Sequence, residues 1–484
     1  MKKNSFVLAA SVAALMGSGN ALAQNANALT TTPDVIVYAS GSSAQKTNLD
    51  NAIKAVCQTG TFEKYTNALG GDHFITYYCL SQGIGSGVAD GTKIMIRYSG
   101  YTTQIGNTTF APGTSAGGSI LGANPVINQS KIQFMAVSPA TAALCNTTTA
   151  GVCDDSKTGL VDPFVPQLGL TDLHPKWFVL QNAPVEAGAT QAPGLTKLKI
   201  TPGIVTPFNS PVSLNLRDAL QDSQIKSGAL AATCATNREL GSCTPSLTAS
   251  QLADIWTGAV TSWDKVDANL PVKAITWVRR ENGSGTQASL MIAAASKMYG
   301  DLTKAYPCTT GAQPTVLYGK NVITGGTTTD VETALVNANQ NGDYAIGLVS
   351  APRNGAGADA AAVKNYRIIK IDGKGPTLTD IASGAYKFVT QGTFQRLQTG
   401  AGTASEVAIL DAIVTNMLTP SVIAIGNASA TSKLNLGDSG YMAVTDGASC
   451  STTNTCATNP VTNVRFAKNA ADYPNNCVAP TSSW

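Results

Sequence analysis

Three clusters of glycine, serine and threonine precede predicted helices, and their residue types and spacing could do chemistry. They span residues 39–44, 113–118 and 283–286. Such a turn directs free backbone N–H groups and the positive end of a helix dipole to one place, and its glycines let a ligand approach closely. Arg280, four residues before Ser284, adds a planar guanidinium group suited to an oxyanion. The pattern predicts an anion site that relies on hydrogen bonds.

Catalytic and metal-binding groups are not predicted around these turns. The chain has two histidines, His73 and His174, and no C-x-x-C pair, so we expect no metal site and no cofactor. The turns offer hydroxyl groups without a clear general base, so we name no catalytic residue and expect a binding protein. A phosphoester hydrolase on the same fold remains an alternative, and it would need a nucleophile or a metal beside the turns.

Short β-type runs alternate with segments of helical spacing along the chain. The runs at 35–38, 94–98 and 132–137 precede a change of pattern near residue 203, after which 204–208 and 274–278 continue the alternation. Strands that alternate with helices predict α/β sheets. The 484 residues correspond to about three units at ~150 residues each, and 43% hydrophobic residues can supply a large core.

The N-terminus has the features of a Sec-type export signal. Lys2 and Lys3 precede an apolar run at 6–16, and Ala21-Leu22-Ala23 fits a cleavage site. We therefore expect a periplasmic or extracellular bacterial protein. No later run is long and uncharged enough for a membrane span. The formal net charge of +3 gives no electrostatic case for nucleic-acid binding.

The cysteine count supports export, because all ten cysteines follow the signal and their number is even. Short spacings favour local pairs, and the remaining two cysteines would tie the tail to the body. The expected disulfides are Cys57–Cys79, Cys145–Cys153, Cys234–Cys243, Cys450–Cys456 and Cys308–Cys477. Spacing alone leaves other connectivities open.

The order of these segments resembles the phosphate-binding (PstS-like) family of periplasmic ABC-transporter solute-binding proteins. The turns at 39–44 and 113–118 resemble the first two turns of that family, and GIVTPFNSP (203–211) resembles the strand that enters its second lobe. LTASQLADIWTGAVTSWDKV (247–266) and ITWVRRENGSGTQ (275–287) are similar to its helix and tryptophan turn and to its arginine loop.

The resemblance implies a two-lobed α/β fold that closes over a dehydrated oxyanion. Carried over residue by residue, it implies ligand-binding roles for nine positions in three turns and one strand end. These are Ser43, Ala44, Thr114, Ser115, Ser138, Arg280, Ser284, Gly285 and Thr286.

Two positions depart from the family pattern. The family has an aspartate after the third strand of its first lobe, where it accepts a proton from protonated phosphate, and the matching place here holds Ser138. A hydroxyl group can donate to a fully ionised oxyanion, so sulfate would be rejected less strongly. Asn282 stands where the family has the acid that steadies its arginine. Asp154, Asp155 and Asp330 are candidates for the missing acid.

The expected organisation is a signal peptide, two lobes joined by a hinge, disulfide-bonded loop insertions and a C-terminal extension. The predicted parts are 1–23 (signal), 24–200 (first lobe), 201–352 (second lobe), 353–438 (return to the first lobe) and 439–484 (extension). We expect a monomer that binds phosphate first and a sulfate-like anion next, with an ABC permease as partner in a transport role. The alternative is a surface or matrix protein on this fold without tight oxyanion binding.

Overall fold

The computed structural model describes residues 27–67, 74–85, 87–100, 123–146, 151–154, 159–175, 194–281, 283–295, 316–317, 320–350, 353, 364–428, 433–434 and 436–464. The helices are α1 Lys46–Lys54, α2 Asn124–Asn128, α3 Leu214–Lys226, α4 Ala249–Trp256, α5 Trp263–Val266, α6 Gly285–Ala295, α7 Thr328–Gln340, α8 Leu378–Ala382, α9 Ala404–Met417, α10 Pro420–Asn427 and α11 Thr453–Thr458.

The strands are short and spread over the whole described chain. They are β1 Val35–Gly41, β2 Glu63–Asn67, β3 Phe74–Leu80, β4 Lys93–Ser99, β5 Ile132–Met135, β6 Cys145–Asn146, β7 Val152–Cys153, β8 Val161–Phe164, β9 Leu168–Thr171, β10 Leu198–Asn209, β11 Pro211–Ser213, β12 Ser246–Leu247, β13 Thr276–Arg280, β14 Val316–Leu317, β15 Lys320–Gly325, β16 Ala345–Gly347, β17 Val349–Ser350, β18 Tyr366–Ile368, β19 Lys370–Ile371, β20 Val389–Leu397, β21 Lys433–Leu434, β22 Gly437–Asp438, β23 Ala443–Val444 and β24 Val461–Thr462.

Two large sheets organise these strands. The ten-stranded sheet has the order β17-β10-β20-β9-β1-β4-β3-β2-β7-β6, and the six-stranded sheet has the order β14-β15-β13-β16-β11-β18. In the first sheet β1 is parallel to both β4 and β9, and in the second β13 is parallel to both β15 and β16. The carboxyl ends of such parallel neighbours meet at one edge of the sheet, which is where α/β proteins place their ligands.

One strand, β10, leads directly from the first sheet to the second. It pairs antiparallel with β20 in the ten-stranded sheet, and β11 begins the six-stranded sheet two residues after β10 ends. Further along the chain, β17 pairs with β10 at the edge of the first sheet, and β18 pairs with β11 in the second sheet. The chain then rejoins the first sheet at β20.

Helices α1 and α9 cover one face of the ten-stranded sheet and form its core. Leu49 and Ile53 of α1 pack with Ile409 and Ile413 of α9 against buried strand residues such as Val37. Apolar residues one helical turn apart place these side chains on a single face of each helix. The packing fixes the start of α1 at the carboxyl end of β1.

The segment at 132–137, predicted as the third strand of the first lobe, lies outside the ten-stranded sheet. Among the described strands, its strand β5 pairs only with β8, in a separate two-stranded sheet. Its backbone contacts the main sheet through Thr76, whose hydroxyl donates to the carbonyl of Met135 at 2.8 Å. The third parallel strand beside β4 and β1 is therefore β9. Local hydrophobicity could not distinguish the two segments, because both are short apolar runs.

The described part of the predicted C-terminal extension is built into the core. Met442 exchanges two backbone hydrogen bonds with Val205 of β10, at 2.9 and 3.1 Å. Tyr441, Val461 and Val464 are buried in the largest apolar cluster, which also contains residues of α4, α8 and β10. Residues 441–464 thus complete the interior rather than extend beyond it.

Four of the five expected disulfides are present. Cys57–Cys79, Cys145–Cys153, Cys234–Cys243 and Cys450–Cys456 are bonded as predicted. The fifth expected pair, Cys308–Cys477, lies outside the described residues. The predicted signal peptide, 1–23, also lies outside them. In the described residues no single helix is long and apolar enough to cross a membrane, although α9 and α10 pass that test as a pair bent by 66°.

Candidate functional site

The first turn connects β1 to α1 through a short 3-10 helix at Ser43–Gln45. The backbone N–H of Ser42 donates to the carbonyl of Leu170 at 2.8 Å, which ties the turn to β9. The Ser42 hydroxyl accepts a hydrogen bond from the Ala44 N–H at 3.2 Å and donates to the carboxylate of Asp172. Ser43 is exposed and Ala44 is buried. Of the two predicted residues, Ser43 and Ala44, the second already donates its amide N–H within the turn. Ser42, which was not predicted, holds the turn together through its hydroxyl.

Asp172 is the acidic residue at the carboxyl end of the third parallel strand. It follows β9 directly and is 3% exposed. Its carboxylate accepts the hydroxyl of Ser42, and its backbone carbonyl accepts the Thr390 hydroxyl at 2.8 Å. We did not predict this residue. The sequence signal that could have identified it is the short run LGLT (168–171), in which leucines alternate with smaller residues and an aspartate follows directly.

The assignment of Ser138 to the place after the third strand is wrong. Ser138 follows β5, which is outside the ten-stranded sheet, and it caps the 3-10 helix Pro139–Leu144. Its N–H donates to the Thr141 hydroxyl at 3.0 Å, and the two hydroxyls lie 3.3 Å apart. Its polar groups therefore serve a local cap.

The acids considered for the missing role are placed differently. The Asp330 carboxylate accepts the Thr327 N–H at 2.8 Å and caps α7. Asp154 follows β7 and donates its N–H to the Leu144 carbonyl at 2.7 Å. Asp155 lies outside the described residues, as do Thr114 and Ser115 of the second turn. The acid that follows a strand of the parallel trio β4, β1 and β9 is instead the unpredicted Asp172.

The third turn leads from β13 into α6. Gly283 has a φ of 86°, a left-handed conformation that favours glycine. Ser284 is 2% exposed, and its hydroxyl accepts the N–H of Gln287 at 3.4 Å in the first turn of α6. Gly285 begins the helix and Thr286 is 4% exposed. The predicted residues Ser284, Gly285 and Thr286 therefore lie together at the positive end of a helix of 11 residues.

Arg280 is the last residue of β13 and is 4% exposed. One Nη atom lies 3.0 Å from a carboxylate oxygen of Glu281 and 2.9 Å from the carbonyl oxygen of Gly326. The other donates to the Thr328 hydroxyl at 3.3 Å. The acid beside Arg280 is thus Glu281, while Asn282 lies outside the described residues.

A further glycine- and threonine-rich turn lies beside Arg280. Gly325 ends β15, which is parallel to β13 and pairs with it at Arg280, and α7 begins at Thr328. The carboxyl ends of β13 and β15 therefore bring two helix N-termini to one edge. The sequence GGTTTD carried the same signal as the three recognised turns, but we did not select it.

Burial dominates the electrostatics of the Arg280–Glu281 pair. It raises the pKa of Glu281 to about 7, although the neighbouring Arg280 charge favours the ionised form. Asp330 adds a further rise through charge repulsion. When Glu281 is protonated, the charge of Arg280 is not neutralised within the pair, and an anion can take the place of the missing negative charge.

The described residues contain no group of three or more histidine, cysteine, aspartate or glutamate side chains placed to hold a metal ion. The first and third turns together supply hydrogen-bond donors, one arginine (Arg280) and two buried carboxylates, Asp172 and Glu281. This set can bind an anion that carries a proton.

Comparisons with known proteins agree with the α/β architecture. Residues 226–405 match a family model described as a PBP superfamily domain. The predicted α/β fold resembling periplasmic binding proteins, with disulfide-bonded insertions, is confirmed. A search of curated proteins finds no match.

Several solved structures show a distant likeness. A high-affinity periplasmic phosphate-binding protein solved with phosphate is 14% identical, with a TM-score of 0.40 over 88% of this chain and 99% of that one. A substrate-binding protein from Clostridium perfringens with bound phosphate is 14% identical, with a TM-score of 0.39 over 81% and 98%. PstS from Borrelia burgdorferi is 12% identical, with a TM-score of 0.33 over 79% and 96%.

Proposed function

We propose that this chain is an exported solute-binding protein that captures a tetrahedral oxyanion, with phosphate as the preferred ligand. The observation that carries the proposal is the buried guanidinium of Arg280 at the carboxyl end of β13, beside the N-terminus of α6. A buried arginine and a helix N-terminus both favour an anion at the same place. The PBP superfamily domain at residues 226–405 includes both features.

The first turn would supply the second half of the site. Ser43 and the start of α1 would donate, and the Asp172 carboxylate would accept a proton from the ligand. A fully ionised sulfate has no proton to offer and would be repelled by the carboxylate. With Asp172 in this role, the preference for phosphate no longer conflicts with Ser138. Thr114 and Ser115 stay predicted donors of the second turn.

The test is calorimetric titration of the mature, anion-free protein with phosphate and with sulfate. Arg280→Ala should weaken phosphate binding roughly 10- to 100-fold, because a hydrogen bond to a charged group contributes about 1.5–3 kcal/mol. Arg238→Gln is the matched control and should leave binding unchanged, since this arginine pairs with the exposed Asp222 and is not part of the proposed site. Thr286→Val, which keeps the Arg280 pair intact, should weaken binding without disturbing the fold.

Asp172→Asn tests the selectivity separately. The amide keeps an oxygen for the Ser42 hydroxyl but loses the negative charge, so phosphate should bind less tightly and sulfate more tightly than in the wild type. Asp162→Asn, which removes a carboxylate paired with Arg97 at 3.0 Å, should change neither. Unchanged discrimination in Asp172→Asn would remove this residue from the proposed site.

Two other functions predict different results. A surface or matrix protein predicts no measurable affinity for either anion and retention at the cell surface or release into the medium. A phosphoester hydrolase predicts turnover of a phosphoester. A transport role adds an ABC permease as partner, which co-purification of the two would support.

A further inference from the structure

Two buried hydroxyl groups at the junction of β10 with the C-terminal segment have no hydrogen-bond partner among the described residues. Thr206 and Ser439 are both 0% exposed, and neither side-chain oxygen has a partner within the described structure. Buried polar groups are nearly always hydrogen-bonded, and leaving one unpaired lowers stability. Two such groups in one region point to a ligand that pairs them.

Thr206 lies between two residues that reach the first turn and Asp172. It pairs directly with Thr390 of β20 on one side. On the other side, the bridge between Val205 and Met442 places Tyr441 across from Thr206. Residues directly opposite in an antiparallel pair share a face of the sheet. Thr206 and its two neighbours therefore present their side chains to the same face.

Both neighbours identify that face. The Thr390 hydroxyl donates to the Asp172 carbonyl at 2.8 Å. The Tyr441 hydroxyl donates to the carbonyl of Ala44, in the turn that begins α1. The Thr206 hydroxyl thus lies on the side of the sheet that carries the first turn and its buried carboxylate.

Ser439 approaches the same region from the C-terminal segment. It lies two residues before Tyr441, in the segment that Met442 joins to Val205 of β10. The segment is held in place because the Asn427 side chain bonds both the N–H and the carbonyl of Tyr441, at 2.9 and 2.8 Å. Gly440 has a φ of 151° and leaves no room for a Cβ against Asn427.

We propose that Thr206 and Ser439 are ligand-binding hydroxyls of the oxyanion site, supplied by the crossing strand and by the C-terminal segment. The inference rests on the proposed function and extends its site beyond the three turns. Neutral hydroxyl donors suit an oxyanion that also faces a carboxylate, because they add hydrogen bonds without changing the charge. In the absence of anion the protein then carries two unpaired buried groups, and binding pairs them.

The experiment combines thermal unfolding with phosphate titration of Thr206→Val and Ser439→Ala. Removal of an unpaired hydroxyl should leave the melting temperature of the anion-free protein unchanged or higher. The same change should weaken phosphate binding roughly tenfold and reduce the phosphate-induced rise in melting temperature. Thr206→Ser, which keeps the hydroxyl, should bind as the wild type does.

Ser223→Ala is the matched control for loss of a buried hydroxyl. Ser223 lies in α3 and donates to Asp267, so its replacement should lower the melting temperature and leave phosphate affinity unchanged. If the wild type binds phosphate and both Thr206→Val and Ser439→Ala bind it equally well, the inference fails and the proposed function stands. If the wild type binds neither phosphate nor sulfate, both fail.

Discussion

Glu281 couples the charge of the candidate anion site to pH. Its pKa of about 7 means that it is largely protonated below neutrality, when Arg280 is left with its full charge. As pH rises through 7, the ionised carboxylate neutralises the arginine and competes with the anion. One proton taken up with the ligand changes the affinity by at most about tenfold per pH unit.

Comparison of the wild type with Glu281→Gln between pH 6 and 8 isolates this effect, because phosphate itself changes protonation in the same range. We expect the two proteins to bind phosphate similarly near pH 6 and the wild type to bind progressively less well above pH 7. Parallel affinity curves would contradict the assignment.

The same group affects stability with a definite sign. The folded state holds the proton of Glu281 up to about pH 7, whereas an ordinary glutamate in the unfolded chain releases it near 4.5. The free energy of unfolding should therefore fall as pH rises from 4.5 to 7, and this part of the fall should be missing in Glu281→Gln.

The proximity of residues in the candidate site was predictable where chemistry and local spacing coincide. Arg280 and the glycine–serine turn after it share one short stretch, so their proximity follows from the sequence. Asp172 is 130 residues from Ser42, and only the parallel pairing of β1 with β9 brings them together. The similar apolar run before Ser138 gave the wrong position, because sheet membership depends on distant partners.

At the level of elements, the insertion at 226–246 is held to its unit by charge as well as by a disulfide. Glu239 receives hydrogen bonds from Arg217 of α3 at 2.8 Å and from Arg367 of β18 at 2.8 Å. Burial raises the pKa of Glu239, but these two arginines outweigh burial and lower it to about 2. The carboxylate links the insertion to a helix and a strand.

Glu239→Gln should lower the melting temperature at neutral pH by a few degrees, because two arginines lose their shared anion. Glu239 is half-exposed, so solvent screens the pair and the effect stays modest. In the wild type this contribution is present above about pH 4.5 and is lost as pH falls towards 2. Asp222→Asn, on the exposed partner of Arg238, is the control.

Short-range elements were also the most predictable ones. The described disulfides join cysteines 6 to 22 positions apart, and each follows from spacing because a short loop keeps the two thiols near one another. Helix α4 begins after Thr248 with the capping pair Thr248 and Gln251, a local signal inside the recognised stretch.

For the whole molecule, the C-terminal segment is a structural necessity. Tyr441, Met442, Val461 and Val464 are each at most 8% exposed. At about 1.5–3 kcal/mol for each buried apolar side chain, their loss approaches the 5–15 kcal/mol that stabilises a typical domain. Low periodicity after residue 438 had suggested a surface extension, because isolated apolar residues in a polar segment give no amphipathic pattern.

A chain that ends at Asp438 should lack cooperative thermal unfolding and should aggregate. The milder Met442→Ala should lower stability by about 2–5 kcal/mol, as expected for a large buried residue replaced by alanine. Circular dichroism during heating measures both. A truncated chain with a wild-type transition would show that the segment is dispensable.

The contact between Tyr441 and Ala44 joins residues almost 400 positions apart. Synthesis proceeds from the N-terminus, so β1 emerges long before β20, its second neighbour across β9, and before Tyr441. Pairings of such long range slow folding and leave strand edges exposed in the meantime. The first turn therefore gains its contact with Tyr441 only after nearly the entire chain has been synthesised, and a chain still held on the ribosome would lack a complete form of the proposed site.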